Sequence, residues 1–333
     1  MNQPRFYSWD DIGIEYSRVL VGNAQERLKQ ILVQCLVTGY ESKSGAGWTL
    51  GHEHSNGFSL INADGNVVNF VSDLPEQAPY PATHGASIHI YAAESLTDTS
   101  NAIIDGANLC SGTYRKGMQE LEDYPRHQLG YAENVLKHGD ATLQWTLVAD
   151  EKTFILNCSD TYSRSGSPSN EHSFTLYVGE VILDTPVSGN FVVLGGGIYR
   201  YGSYGPMYAF SVGYTSLRDL ITGLAQHVEI GTEPYMDVPY LNPSANTTLI
   251  PSRINFQQPR VVSGNMLVGR LRGVVYDDVL RAKYGWEVGL KALGFTGTDF
   301  TDRAKPVKIG DYRYAFAKSY TANSYLTDNP EFW

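Results

Sequence analysis

A chain of 333 residues with 42% apolar content can bury one large core or two ordinary ones, so a miniature scaffold held by crosslinks is excluded. Only 18% of residues are charged, whereas 33 are Gly and 23 are Tyr, a balance that favours strands and turns over long solvated helices. The 25 Lys and Arg against 35 Asp and Glu leave a net charge of −10, which argues against a nucleic-acid groove or an anionic membrane surface as the main partner.

Residues 1–22 read as an N-terminal arm and residues 23–333 as one β-rich domain. The opening MNQPRFYSWDD lacks the basic-then-apolar layout of a signal peptide, and no stretch approaches the ~18 apolar residues of a membrane span, so cytosolic synthesis is expected. From Asn23 to Val37 the residues Leu28, Ile31, Leu32, Cys35 and Leu36 recur at steps of three and four, with Asn23 as cap and Gly39 as stop. This spacing predicts an amphipathic helix. Gly39, Gly45 and Gly47 let the next loop reverse before Trp48 enters the same core, which makes Leu32, Cys35 and Trp48 core anchors.

Phe58 to Ile61 and Val67 to Val71 flank Asn62-Ala63-Asp64-Gly65 and read as a hairpin, because Asp-Gly supplies the positive φ of a tight turn. Ser87 to Tyr91 is the next strand. Leu143 to Val148 and Thr153 to Asn157, across Ala149-Asp150-Glu151-Lys152, form a second hairpin with Trp145 as a further core anchor. Asp160 to Glu171 is polar enough to be a long loop or a sub-boundary. Strands are expected at Ser173 to Leu183, Asn190 to Leu194, Tyr208 to Val212, Arg260 to Leu267 and Tyr312 to Ser319. A short helix is expected at Ser216 to Gln226, where Leu217, Leu220, Ile221 and Leu224 share a face. Thr232 to Gln258 reads as a long loop that orders against a neighbouring subunit. The pattern predicts a mainly β (α+β) fold: an antiparallel β-sandwich or barrel-like domain with an N-terminal amphipathic helix and long loops.

Motifs that would carry chemistry are thin. His52 and His54 share a strand face, yet nothing beside them completes a metal shell, and His84 and His89 are weaker still. Gly195-Gly196-Gly197 fits neither nucleotide-binding fingerprint and reads as a bulge. A G-x-S-x-G elbow is missing. Cys35, Cys110 and Cys158 are isolated and read as reduced, packed thiols, and the downstream His127 and His172 pair with Cys110 and Cys158 only by number. Asp10-Asp11, Glu120 to Asp123, Asp150-Glu151 and Asp277-Asp278 read as solvated turns or helix starts in preference to a catalytic pair. No catalytic residue, metal ligand or cofactor is therefore expected, and a polysaccharide-degrading enzyme rests on these carboxylates alone. Tyr199, Tyr201, Tyr204 and Tyr208, with Tyr214 after them, lie among Gly and Ser and suggest a contact surface for protein or sugar, or else rings covering a core.

The run Ile31-Leu32-Val33-Gln34-Cys35-Leu36-Val37-Thr38-Gly39-Tyr40-Glu41-Ser42-Lys43-Ser44-Gly45-Ala46-Gly47-Trp48-Thr49 resembles the "LxxCLVxGYGxKxxAGWT" opening of a family of virion structural proteins of tailed bacteriophages. Three later stretches are similar to that family in the expected order: Gln144 to Phe154, Tyr177 to Val181, and Gly269 to Tyr276. Glu41, Glu180, Arg272 and Val274 depart from its pattern, which puts a shared turn at Arg272 in doubt. The resemblance implies a non-enzymatic particle component, made in the host cytoplasm and residing in the virion. The leading expectation for its position is the tail, baseplate or fibre region. Its partners would be other virion proteins and further copies of itself in a symmetric assembly. A capsid decoration or collar protein is the neighbouring alternative. The Tyr-rich stretch keeps open a carbohydrate- or receptor-binding module that meets a host-surface glycan.

Overall fold

The computed structural model describes residues 3–14, 24–41, 43–54, 57–72, 88–98, 105–108, 127–129, 144–159, 173–197, 212–225, 230–233, 256–264, 266–277, 306–317 and 324–333. The fold is mainly β, with antiparallel sheets and a short N-terminal helix.

At its centre is a six-stranded sheet ordered β1-β9-β10-β11-β13-β14: β1 (Arg5–Ser8), β9 (Gln144–Ala149), β10 (Thr153–Ser159), β11 (Ser173–Gly179), β13 (Val192–Gly197) and β14 (Val212–Ser216). A second sheet, β2-β3-β4-β5-β8, consists of β2 (Thr49–His54), β3 (Gly57–Ile61), β4 (Val67–Ser72), β5 (Ile88–Ala93) and β8 (His127–Leu129). Near it lies a small ladder of β6 (Ser95–Asp98) and β7 (Asp105–Ala107). A third sheet, β12-β18-β17-β15, is built from β12 (Ile182–Leu183), β18 (Met266–Arg270), β17 (Arg260–Ser263) and β15 (Ile230–Glu233). The fourth, β16-β19-β22-β21-β20, combines β16 (Phe256–Gln257), β19 (Val274–Asp277), β22 (Ser324–Thr327), β21 (Tyr312–Ala317) and β20 (Val307–Ile309).

The central sheet is covered on both faces, which explains the unbroken apolar runs Leu147-Val148-Ala149 in β9 and Phe154-Ile155-Leu156 in β10, where a half-exposed strand would alternate. One face contributes Tyr7, Trp145, Leu147, Phe154, Leu156, Leu176 and Val178 to a core shared with the helix and with Phe58, Leu60, Val68 and Phe70 of the second sheet. The other face contributes Phe6, Val148, Ile155, Tyr177 and Leu194 to a core shared with Val261, Val268, Val274, Ala315 and Leu326 of the third and fourth sheets. The strand at Arg5–Ser8, inside the expected arm, is therefore an integral edge strand paired with β9 from Arg5↔Ala149 to Ser8↔Thr146. The expected sub-boundary at 160–171 lies outside the described residues. The strands on either side of it pair in unbroken register from Thr153↔Gly179 to Ser159↔Ser173, so they belong to one sheet.

The expected helix is α1 (Ala24–Leu32), continued by a wider π turn over Val33–Thr38. Widening follows from what the helix end bonds to. The Gly39 amide closes on Gln34 O, five residues back, at 2.8 Å. The carbonyls of Cys35 and Leu36 are thereby free to accept from the amides of Ala46 (3.0 Å), Gly47 (3.0 Å) and Trp48 (3.1 Å). Leu28, Ile31, Leu32, Cys35 and Leu36 are all buried.

The two expected hairpins form as β3–β4 and β9–β10, with Gly65 at φ 87° in the first turn. Other expectations are corrected. The stretch Ser216 to Gln226 is not a helix: β14 ends at Ser216, and the Asp219 carboxylate accepts from the amides of Ile221 (2.7 Å) and Thr222 (2.8 Å), closing a turn. Leu217 and Leu220 are buried there, whereas Ile221 and Leu224 are exposed. Arg260 to Leu267 is a hairpin, reversing at Gly264 between β17 and β18. The Asn190 to Leu194 strand begins later, at Val192, and Tyr208 to Val212 reaches the described residues only at Val212, the first residue of β14.

Candidate functional site

Four turns, each closing a different strand pair or corner, meet beside the end of the central sheet. They are residues 62–66 between β3 and β4, 150–152 between β9 and β10, the corner at 180–181 after β11, and 271–273 between β18 and β19. Turns carry polar residues, so their meeting point is a cluster of charge in an otherwise apolar body.

Its centre is a buried ion pair. The Asp150 Oδ1 accepts from the amides of Lys152 (2.9 Å) and Thr153 (2.8 Å), which shapes the hairpin turn, and Oδ2 accepts from Arg272 Nη2 at 2.5 Å. The two side chains are only 4% and 7% exposed. Arg272 Nη1 donates to Thr153 Oγ1 (3.1 Å), and the guanidinium stands over the Trp333 ring, 5.5 Å from its centroid. The Arg272 amide donates to the Tyr177 hydroxyl (3.2 Å), which in turn donates to Glu180 O (2.5 Å). Thr153 Oγ1 donates to Glu180 O (3.1 Å) and accepts from Glu180 N (3.0 Å). On the far side the Trp48 indole N–H donates to Asp150 O at 2.9 Å.

Around this centre lies a more open ring of charge. Lys152 Nζ reaches Asp64 Oδ2 at 2.8 Å and Glu180 Oε1 at 3.3 Å, and Arg272 Nη1 stands 3.9 Å from Glu180 Oε2. The Ala63 amide donates to Glu151 O (2.9 Å), so the two turns also touch through the backbone. Burial, then the hydrogen bond with Asp64, pushes the Glu180 carboxyl up to about 7 against the pull of Lys152. The hydrogen bond from Glu180, with help from Lys152, holds Asp64 below the usual carboxylate range. The Lys152 ammonium is pushed up by its bond to Asp64. Asp64 and Glu180 form part of the wall of a cleft of 610 Å³, together with Asn190, Val187 and the ion-paired Glu94 and Arg218.

Comparison with protein-family models, with curated proteins and with solved structures found no match for this chain. The arrangement must therefore be read on its own chemistry. Asp64 and Glu180 both contact the single Lys152 ammonium, which ties the two carboxylates into one ion-pair network. Asp150 is tied by two amides and a guanidinium, which is the bonding of a structural lock.

The core anchors Leu32, Cys35, Trp48 and Trp145 are all buried in the core shared by the helix and two sheets. Trp48 packs edge-on to Phe154 with ring centroids 5.3 Å apart. Tyr199, Tyr201, Tyr204 and Tyr208 lie outside the described residues, as do Glu120 to Asp123, Cys110, His84, His172, most of Thr232 to Gln258, and the side chains of Tyr214, His54, His89, His127 and Asp277. His52 is exposed. Among the described residues no group of three or more His, Cys, Asp or Glu is placed to hold a metal. Burial pushes the Cys35 and Cys158 thiols up. Gly195 sits at a register shift between β13 and β14. Asp11 accepts from the Ser8 amide (2.8 Å) and the Tyr40 hydroxyl and pairs with Lys43 at 2.5 Å, so it fastens β1 to the loop after the helix. Asp64, Lys152, Glu180 and Arg272 were not legible as a group: each occupies an ordinary polar turn position, and only the tertiary fold brings them together.

Proposed function

We propose that this chain is a structural subunit of a tailed-phage particle, working in the tail, baseplate or fibre region through protein–protein contacts. The observation that carries this reading is where the four family-like stretches lie. Residues 31–49, 144–154, 177–181 and 269–276 are far apart in sequence: Trp48 and Asp150 are 102 positions apart, and Asp150 and Arg272 are 122 positions apart. All four nevertheless meet in one network, through Trp48, Asp150, Thr153, Tyr177, Glu180 and Arg272. Glu180 and Arg272 stand where the chain departs from the family pattern, so what supports the reading is the meeting of the four stretches and not the identity of every residue in it.

Exposed apolar side chains add support. The β17–β18 hairpin presents Met266 (57% exposed) and Leu267 (46% exposed) next to its reversal at Gly264. Successive strand residues point to opposite faces, so apolar surface on both sides of a hairpin tip suits a contact between subunits. The test is quantitative mass spectrometry of purified particles from an infection. A fixed, integral copy number relative to the major structural proteins supports the reading, and a chain found only in the soluble lysate overturns it.

A further inference from the structure

The cleft of 610 Å³ beside the charged junction is walled by two sheets. Asp64 and Asn66 reach it from the β3–β4 turn, Glu94 from the residue after β5, and Glu180 from the corner after β11. Its charge does not balance. Lys152 is shared between Asp64 (2.8 Å) and Glu180 (3.3 Å), Arg218 is taken up by Glu94, and Arg272, 3.9 Å from Glu180, is already bonded to Asp150. Among the described residues three lining carboxylates therefore face two cations, and one negative charge has no cation of its own. A second observation points the same way. Asn66 is only 8% exposed and lines the cleft, its N–H and C=O are both spent on Asn62, and among the described residues its side-chain amide has no partner. Such a group gains most from a ligand that brings a hydrogen bond.

The other end of the cleft is apolar. Leu183, Pro186 and Val187 line it, and the 219–224 turn lies against it, since a methyl on Gly223 would meet Val187 Cβ at 3.5 Å. That turn exposes Ile221 (43%) and Leu224 (61%). Among the described residues no aromatic ring lines the cleft for a sugar to stack on, and none of its acidic groups is placed to hold a metal. We propose that the cleft is a docking site for a segment of a neighbouring chain that carries a Lys or Arg beside a large apolar residue. The cation meets Asp64 and Glu180, the segment's backbone bonds to Asn66, and the apolar side chain rests on Val187 and Leu224. That the neighbour is a virion protein rests on the assembly reading; the recognition chemistry does not.

The experiment is calorimetric titration of the full chain with the capped dipeptide N-acetyl-lysyl-leucinamide, at pH 8, above the value of about 7 to which burial pushes the Glu180 carboxyl. Binding in the millimolar range is expected. The norleucyl analogue, which lacks the charge, should bind about tenfold more weakly, and N-acetyl-lysyl-glycinamide about fivefold more weakly. Asp64→Asn, which suits the turn before Gly65 equally well, should lose about fivefold in affinity. Bound peptide should slow hydrogen exchange at 62–66 and 183–190. Absence of binding, equal affinity for either analogue, unchanged affinity in Asp64→Asn, or protection confined to other segments overturns the docking site. Should Asp64→Asn fail to fold, Leu224→Ser at its exposed position provides the check: it must weaken the leucinamide peptide and leave the glycinamide peptide unchanged, and any other result overturns the proposal. Failure here leaves the particle reading standing, whereas a chain missing from purified particles overturns that reading and leaves the chemistry of the cleft intact.

Discussion

Replacing Arg272 by Met removes the cation from a carboxylate that has almost no access to water. Asp150 is 4% exposed and keeps only its two amide donors on Oδ1, while Oδ2 loses its partner. Breaking a buried pair in this way costs about 3–5 kcal/mol, because the remaining charge is left uncompensated. Loss of the Thr153 bond and of the stacking on Trp333 adds to that figure. Against a total stability of about 5–15 kcal/mol this is a large share. Urea unfolding at pH 7.5, followed by tryptophan fluorescence, should show the midpoint fall accordingly. Asp150→Asn alone should also destabilise, though less, since Glu180 Oε2 stands 3.9 Å from the guanidinium and can take up part of the charge. The double variant Asp150→Asn/Arg272→Met should lose less than the sum of the two singles, because no unpaired charge remains. The reasoning is refuted if Arg272→Met costs less than about 1 kcal/mol and the two changes prove additive.

Trp48→Ala should cost about 3–5 kcal/mol through its buried contacts with Phe154 and the bond to Asp150 O, and lower incorporation into particles; an unchanged Tm with normal incorporation contradicts this. Gly39→Ala should be far more damaging than Gly65→Ala. Both have positive φ (75° and 87°), but a methyl at Gly39 meets Gly45 N at 2.7 Å and Ser44 Cα at 2.8 Å, whereas Gly65 has no heavy atom within 4 Å. Thermal melts should put the cost of Gly65→Ala at about 1–2 kcal/mol, that of the left-handed backbone alone, and equal losses at both sites would refute the loop geometry. Met266→Asp with Leu267→Asp should leave the isolated chain within about 0.5 kcal/mol of wild-type stability yet reduce assembly; full incorporation of this double variant contradicts the role given to the hairpin.

What the residues alone revealed was local. Asp64-Gly65 and the Asp150 turn announce their hairpins because a few adjacent residues decide a turn, and the three- and four-residue spacing of Leu28 to Leu36 announces α1 for the same reason. The π turn was hidden because it depends on amides of residues 46–48 that arrive from the following loop. Ser216 to Gln226 misled because Leu217, Leu220, Ile221 and Leu224 mimic a helical stripe, while the Asp219 side chain, bonding the amides of Ile221 and Thr222, commits the backbone to a turn. Arg272 shows the remaining gap most clearly. Nothing local in the sequence marks its role, whereas the structure makes a turn at 272–273 and bonds the Arg272 guanidinium to Asp150. The charged junction was out of reach of the sequence because its members come from four separate turns.

The central claim, that this chain is an assembly subunit of a tailed-phage particle, is tested most directly by a cryo-EM reconstruction of the purified particle. The account predicts density into which the central six-stranded sheet and its two flanking cores fit as a unit, repeated by the particle's symmetry, with the β17–β18 hairpin against a neighbouring chain. A complete reconstruction in which every density is assigned to other proteins would contradict it.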